Sequence, residues 1–103
     1  EKAEVLNKLG VTEVMSLTQT LAERNDLPIN KGVLIREVRP LSQAAAAGLR
    51  PGMVITDVQG VAVDTVGKLI TELGKHDLTQ GVRISVQAGD ANRFVLLELP
   101  DTE

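Results

Sequence analysis

The 103-residue chain contains no cysteine, no tryptophan and no tyrosine, with Phe94 as its single phenylalanine and His76 as its single histidine. The lack of cysteine excludes disulfides and thiolate metal sites, and is compatible with any compartment. With one aromatic, the core has to be built from Val, Leu, Ile and Ala, and nucleic-acid bases have no aromatic platform to stack on. Lys and Arg number 11 against 14 Asp and Glu, a formal net charge of -3, which argues against a phosphate-binding surface. No nucleic-acid partner is expected. No apolar run approaches bilayer-spanning length, so no membrane insertion is expected.

Catalytic signals are equally sparse. A lone histidine with no flanking ligand pattern is a poor metal site. A serine triad needs a nucleophile held by that imidazole. Ser42 reads as a helix cap, Ser85 as the polar face of a strand, and Ser16 as a strand end. No G-x-S-x-G elbow or G-D-S-G-G segment is present. The chain is expected to carry no catalytic residue, no metal and no cofactor.

The length suits one small domain with one core. The chain opens on Glu1-Lys2-Ala3-Glu4 without an initiator methionine and reads as a piece of a longer protein. Residues 1–8 form a lead-in, either a short helix or a linker; residues 9–100 form the domain; residues 101–103 fray. Thr12 to Leu17 is extended, but Val14 and Leu17 break strict alternation, which predicts a bulge or an early strand end. Thr18 to Asn25 reads as a short helix capped by Thr18 or Thr20. Leu27 to Gly32 is turn-rich, and Val33 to Val38 is a strand by its β-branched content, stopped by Pro40.

Met53 to Val58 is the next strand, and Gln59-Gly60 turns it back onto Val61-Ala62-Val63. Asp64 or Thr65 caps a helix over Val66 to Leu73, whose apolar residues at 66, 69, 70 and 73 share one broad face. Gly74 is its expected stop. Val82, Ile84 and Val86 then alternate with Arg83, Ser85 and Gln87, a half-buried antiparallel strand. Ala88 to Asn92 is a hairpin loop and Phe94 to Leu99 the last strand. The expected fold is α+β, mainly β: a partly open five- to six-stranded barrel or sandwich capped by two or three short helices.

The most informative stretch is LSQAAAAGLRPGMVI, from Leu41 to Ile55. Ser42 is a natural N-cap. Four alanines let a short helix lie close to a sheet, and Gly48 ends it at a left-handed position. Arg50-Pro51-Gly52-Met53 has the Pro and Gly of a type II turn. The stretch resembles the SPAAxAGLxxGDVI signature of PDZ domains, above all those of bacterial HtrA/Deg serine proteases. Gln43 replaces the usual Pro, Met53 the usual Asp, and Gln59-Gly60 stands where Asn-Gly is common. The resemblance runs from about Leu9 to Leu99. The additional C-terminal strand matches the circularly permuted order of bacterial members.

The resemblance implies a site for peptides. An extended peptide adds a strand to an exposed sheet edge, and its terminal carboxylate is held by a nest of backbone N–H groups. PDZ domains supply that nest with an X-Φ-G-Φ loop, which Lys8-Leu9-Gly10-Val11 fits. By resemblance, the N–H groups of Leu9, Gly10 and Val11 receive the carboxylate, Lys8 adds positive charge, and Thr12 and Glu13 begin the pairing edge. The facing wall is the helix from Val66, with Val66, Ile70 and Leu73 toward the groove and Leu69 and Val63 toward the core. All four apolar residues of that helix packing inward is the alternative. Val66 stands where many eukaryotic members carry a histidine that reads a ligand hydroxyl, so a hydrophobic ligand is expected there.

The partners so implied are C-terminal or unfolded segments of other proteins. The isolated domain is expected to be monomeric, and its parent an oligomeric, periplasmic or envelope serine protease of HtrA type with a quality-control role. The same fold occurs in carboxyl-terminal processing proteases, in site-2 metalloproteases, and in non-proteolytic scaffold or secretion components, which stand as alternatives.

Overall fold

The computed structural model describes residues 4–98. Six strands form a single antiparallel sheet that does not close: β1 (Val11–Ser16), β2 (Val33–Val38), β3 (Val54–Val58), β4 (Val61–Ala62), β5 (Val82–Ala88) and β6 (Ala91–Leu97). Their order is β1-β2-β3-β5-β6, with β4 folded onto β3, so β1 and β6 are the two edges. Four short α-helices accompany the sheet: α1 (Glu4–Leu9), α2 (Gln19–Arg24), α3 (Gln43–Ala47) and α4 (Val66–Gly74), with a 3₁₀ turn at Leu78–Gln80. The mainly β, open architecture agrees with the sequence-based expectation, with α1 and the 3₁₀ turn in addition. The expected fraying of 101–103 lies outside the described residues.

Local chemistry explains the element ends. The hydroxyls of Thr18, Ser42 and Thr65 each accept from the backbone N–H three residues on, at 3.1 Å, satisfying one of the free donors of a first helical turn. Gly48 closes α3 at φ +103°. Gln59 and Gly60 both have positive φ, as the tight β3–β4 hairpin requires. Two boundaries differ from expectation. Gly74 keeps helical dihedrals, and α4 closes one residue later, where Lys75 N–H donates to Glu72 O. The last strand begins at Ala91 rather than Phe94, because the β5–β6 ladder continues to the pair Ala88↔Ala91 and leaves only Gly89-Asp90 as the turn.

The core is aliphatic throughout. Its main body joins the inner face of the sheet to α1, α3 and α4 through residues such as Leu6, Ile35, Ile55, Leu69 and Ile84. A smaller cluster of Leu17, Ala22, Leu34 and Val54 lies under α2 on the other face. Phe94, the one aromatic, is 70% exposed on β6, with the Arg83 guanidinium 5.3 Å from its ring centre. Of the two readings of residues 1–8, the described part is helical, and Leu6 of α1 belongs to the core.

Candidate functional site

Among the described residues, no strand pairs with the outer edge of β1. Which backbone groups that edge presents follows from the hydrogen bonds on the other side. Ile35 uses both its N–H and its C=O on the β3 side, donating to Met53 O and accepting from Gly52 N–H, each at 2.8 Å. Its partner across the β1–β2 ladder is Val14, so Val14 turns its own N–H and C=O outward. Leu17 N–H donates to Gly32 O at 2.8 Å, which makes Ser16↔Val33 a non-hydrogen-bonded pair and directs the Ser16 backbone outward too. Arg39 N–H donates to Gly10 O at 2.7 Å, and by the same geometry Val11, opposite Val38, points its N–H to the open edge.

The backbone groups of Val11, Val14 and Ser16 thus face the open edge. Between Val11 and Val14 the register slips around Glu13, before the Val14–Leu17 stretch whose broken alternation predicts a bulge or an early strand end; from Val14 to Ser16 the pairing runs without a shift. Thr12 and Glu13, expected on the pairing edge, are exposed. The Thr12 hydroxyl turns toward Glu37 O at 3.4 Å, on the β2 side.

Helix α4, expected to be the facing wall, lies against β1. Val66 and Ile70 are half-buried and keep some surface, whereas Leu69 and Leu73 are buried at 0% and 1% exposure. The helix is tied to β1 at one end: the Ser16 hydroxyl accepts from Val66 N–H at 3.1 Å and so satisfies another free donor of the first turn. Glu72 on α4 is buried, and its Oε2 receives Lys75 Nζ at 3.0 Å and Lys68 Nζ at 3.6 Å. The Lys75 hydrogen bond holds the Glu72 carboxyl below its ordinary range. A cavity of about 910 Å³ lies on the other side of α4, lined by Lys68, Asp64 and the Pro28–Lys31 loop; neither Val66 nor Ile70 reaches it.

The loop end is assembled from three parts of the chain. Gly10 has φ +104°, and a Cβ there would overlap Ser42 Cβ and Oγ, the N-cap of α3. Gly10 N–H donates to Leu6 O at 2.9 Å and Asn7 O at 3.1 Å, closing α1. The Arg39 guanidinium donates to Asn7 O at 2.9 Å. Leu9 and Val11 are buried, at 0% and 2% exposure, and Lys8 is exposed. Of the three N–H groups assigned to the loop, Leu9's lies within the last turn of α1, Gly10's is engaged by α1, and Val11's faces the open edge.

Sequence reasoning passed over four residues of this region. Val14 and Ser16 carried no local signal, since the β1–β2 register sets which way their backbone groups face. Arg39 and Ser42 carried none, because their contacts to residues 7 and 10 form only when β2 and α3 dock on the loop. Asp77, beside His76, is a cap: its carboxylate accepts from the Thr79 N–H at 3.0 Å and the Thr79 hydroxyl at 2.7 Å. Those bonds, the hydroxyl's first, lower its pKa.

An open edge strand, a facing helix and a glycine loop at their shared end make up this architecture. The family model for the PDZ domain matches residues 8–99. This chain belongs to the PDZ-domain family. Among curated relatives, it is 38% identical over 85 residues to the magnetosome formation protease MamE of Magnetospirillum gryphiswaldense, covering 82% of this chain and 11% of that protein. It is 39% identical over 101 residues to a probable periplasmic serine endoprotease, DegP-like, of Brucella suis, covering 95% and 17%. Among solved structures, the PDZ domain of HtrA3 bound to a phage-derived ligand (FGRWV) superposes with a TM-score of 0.75 at 18% identity, covering 87% of this chain and 81% of that one. The HtrA-type protease AlgW with a decapeptide superposes at 0.76 and 27% identity, covering 89% and 28%. The chain therefore spans less than a fifth of these two curated relatives.

Proposed function

We propose that this PDZ domain captures apolar C-termini or extended segments of other proteins by strand addition to β1. Leu9, Gly10 and Val11 form the carboxylate end, with Lys8 and Arg39 as nearby positive charge, and Val66, Ile70 and Leu73 form the apolar wall. The observation that carries the reading is the unpaired β1 edge, where the backbone groups of Val11, Val14 and Ser16 face outward beside the half-buried Val66 and Ile70. The peptide-bound state of AlgW, which shares the fold at 27% identity, supports it. The relatives' names further support a role as the substrate-recruiting or regulatory domain of a periplasmic HtrA-like serine protease.

Titration with the free-acid pentapeptide FGRWV, followed by backbone NMR, tests the site. Shifts are expected at Val11, Val14, Ser16 and along Val66 to Ile70, and Ile70→Glu is expected to weaken binding at least tenfold. Shifts confined to the Phe94 face, or an Ile70→Glu variant that binds like the parent chain, would refute the assignment.

A further inference from the structure

The residues that should line the pocket for a ligand's last side chain have no free surface. Leu9, Val11 and Leu73 are exposed by 0%, 2% and 1%, and they share one cluster with Leu6 of α1, itself 2% exposed. Two of the three backbone donors at that end are engaged within α1, while Val11 N–H faces the open edge. Gly10 N–H is shared between Leu6 O and Asn7 O, and the Arg39 guanidinium sits on the same Asn7 O. A glycine N–H bonded back onto a helix is an ordinary helix end. Here, however, the helix that it ends contributes a buried apolar side chain to the same core cluster and its carbonyl oxygens to the loop glycine and Arg39, the chemistry that a C-terminal residue would bring with its side chain and carboxylate.

From this coincidence we infer that α1 is an intramolecular stand-in for the ligand, and that peptide capture requires its last turn to leave. The inference rests on the peptide-capture reading above and concerns the regulation of that same site. The exchange is chemically matched. Leu6 is replaced by the ligand's terminal apolar side chain. The α1 carbonyls on Gly10 N–H and Arg39 are replaced by a carboxylate, which charge makes the stronger acceptor. The helix is suited to opening, since six residues are too few to hold a helix without packing. Short, marginal elements of this kind open locally without unfolding the rest. The domain then has two states, α1 docked or peptide bound, and whatever holds α1 in place lowers the apparent affinity by the fraction of molecules that remain closed.

The test uses the whole chain and FGRWV as free acid, with amide hydrogen exchange and calorimetry. At saturating peptide, the amide of Lys8 should exchange at least tenfold faster than in the free protein, while amides of β2 and β5 keep their protection. Leu6→Ala should bind FGRWV at least fivefold tighter than the parent chain. Should that variant lose its fold, a chain lacking residues 1–7 is measured instead, with the same gain expected. Arg39→Gln, at an exposed position, should speed Lys8 and Leu9 exchange severalfold in the free protein. Peptide binding at Val11, Val14 and Ser16 with α1 amides still protected and no gain in the α1 variants overturns the inference and leaves the capture reading intact. Binding by none of these chains sinks the capture reading and this inference with it.

Discussion

Ser42 lies directly against Gly10. Its Cβ and Oγ occupy the space that any side chain at position 10 would need, and Gly10 also holds a φ of +104°. The stretch that identifies the family thus does more than brace the sheet: the cap of α3 and the candidate carboxylate loop form one packed unit.

This contact separates two kinds of glycine. Gly48 has nearly the same φ, +103°, but open space where a Cβ would go. Gly48→Ala pays only the left-handed strain, about 1 kcal/mol. Gly10→Ala adds overlap with Ser42 and should cost roughly 3 kcal/mol in all. Urea denaturation of the two variants measures the difference, and equal losses would show that Ser42 yields easily.

Ser16→Ala leaves Val66 N–H without its acceptor at the start of α4. The expected loss is about 1 kcal/mol, as for other caps. Exchange of the Val66 amide should accelerate more than that of Lys68, whose bond to Thr65 is untouched. Uniform acceleration along α4 would mean that the bond does not pin the helix locally.

Val66 is half-buried at the start of α4, where its N–H is bonded to Ser16 of β1. Val66→His places a hydrogen-bonding ring there. If the groove assignment holds, the variant should shift preference severalfold toward peptides with Ser or Thr third from the C-terminus. Paired peptides differing only at that residue measure the ratio, and an unchanged ratio counts against Val66 facing the ligand.

Glu72 gives stability a pH dependence. The Lys75 hydrogen bond, with further help from both lysine charges, lowers its pKa in the fold below the usual 4.5. A group whose folded pKa is depressed stabilises the fold above its unfolded pKa, and that stability fades as pH falls through the folded value. Asp77 acts in the same direction from 3.8. The urea midpoint should therefore decline below about pH 4.5, and Glu72→Gln should flatten that decline relative to the parent chain. An identical acid slope in the two proteins would remove Glu72 as a source.

Much of the architecture was legible because it rests on local chemistry. Ser42, Thr18 and Thr65 cap helices because their hydroxyls reach donors three residues on, and Gly48 and Gly52 turn the chain where only glycine does so cheaply. The aliphatic core followed from composition, and Phe94 stayed outside. The groove was legible only in outline. A helical period places Val66, Ile70 and Leu73 on one side of α4 but does not say which of them another element covers.

The sequence by itself determined the family signature, the aliphatic core, and most caps and turns. The tertiary structure decided which groups remain available. The phase of the β1–β2 ladder, set by bonds to residues distant in sequence, turns the backbone groups of Val14 and Ser16 outward. Leu9, Val11 and Leu73 are buried in the core, and Gly10 N–H is engaged by the end of α1. The ladder phase and the burial depend on partners distant in sequence, and side-chain pattern within a segment carries no record of what will pack across it.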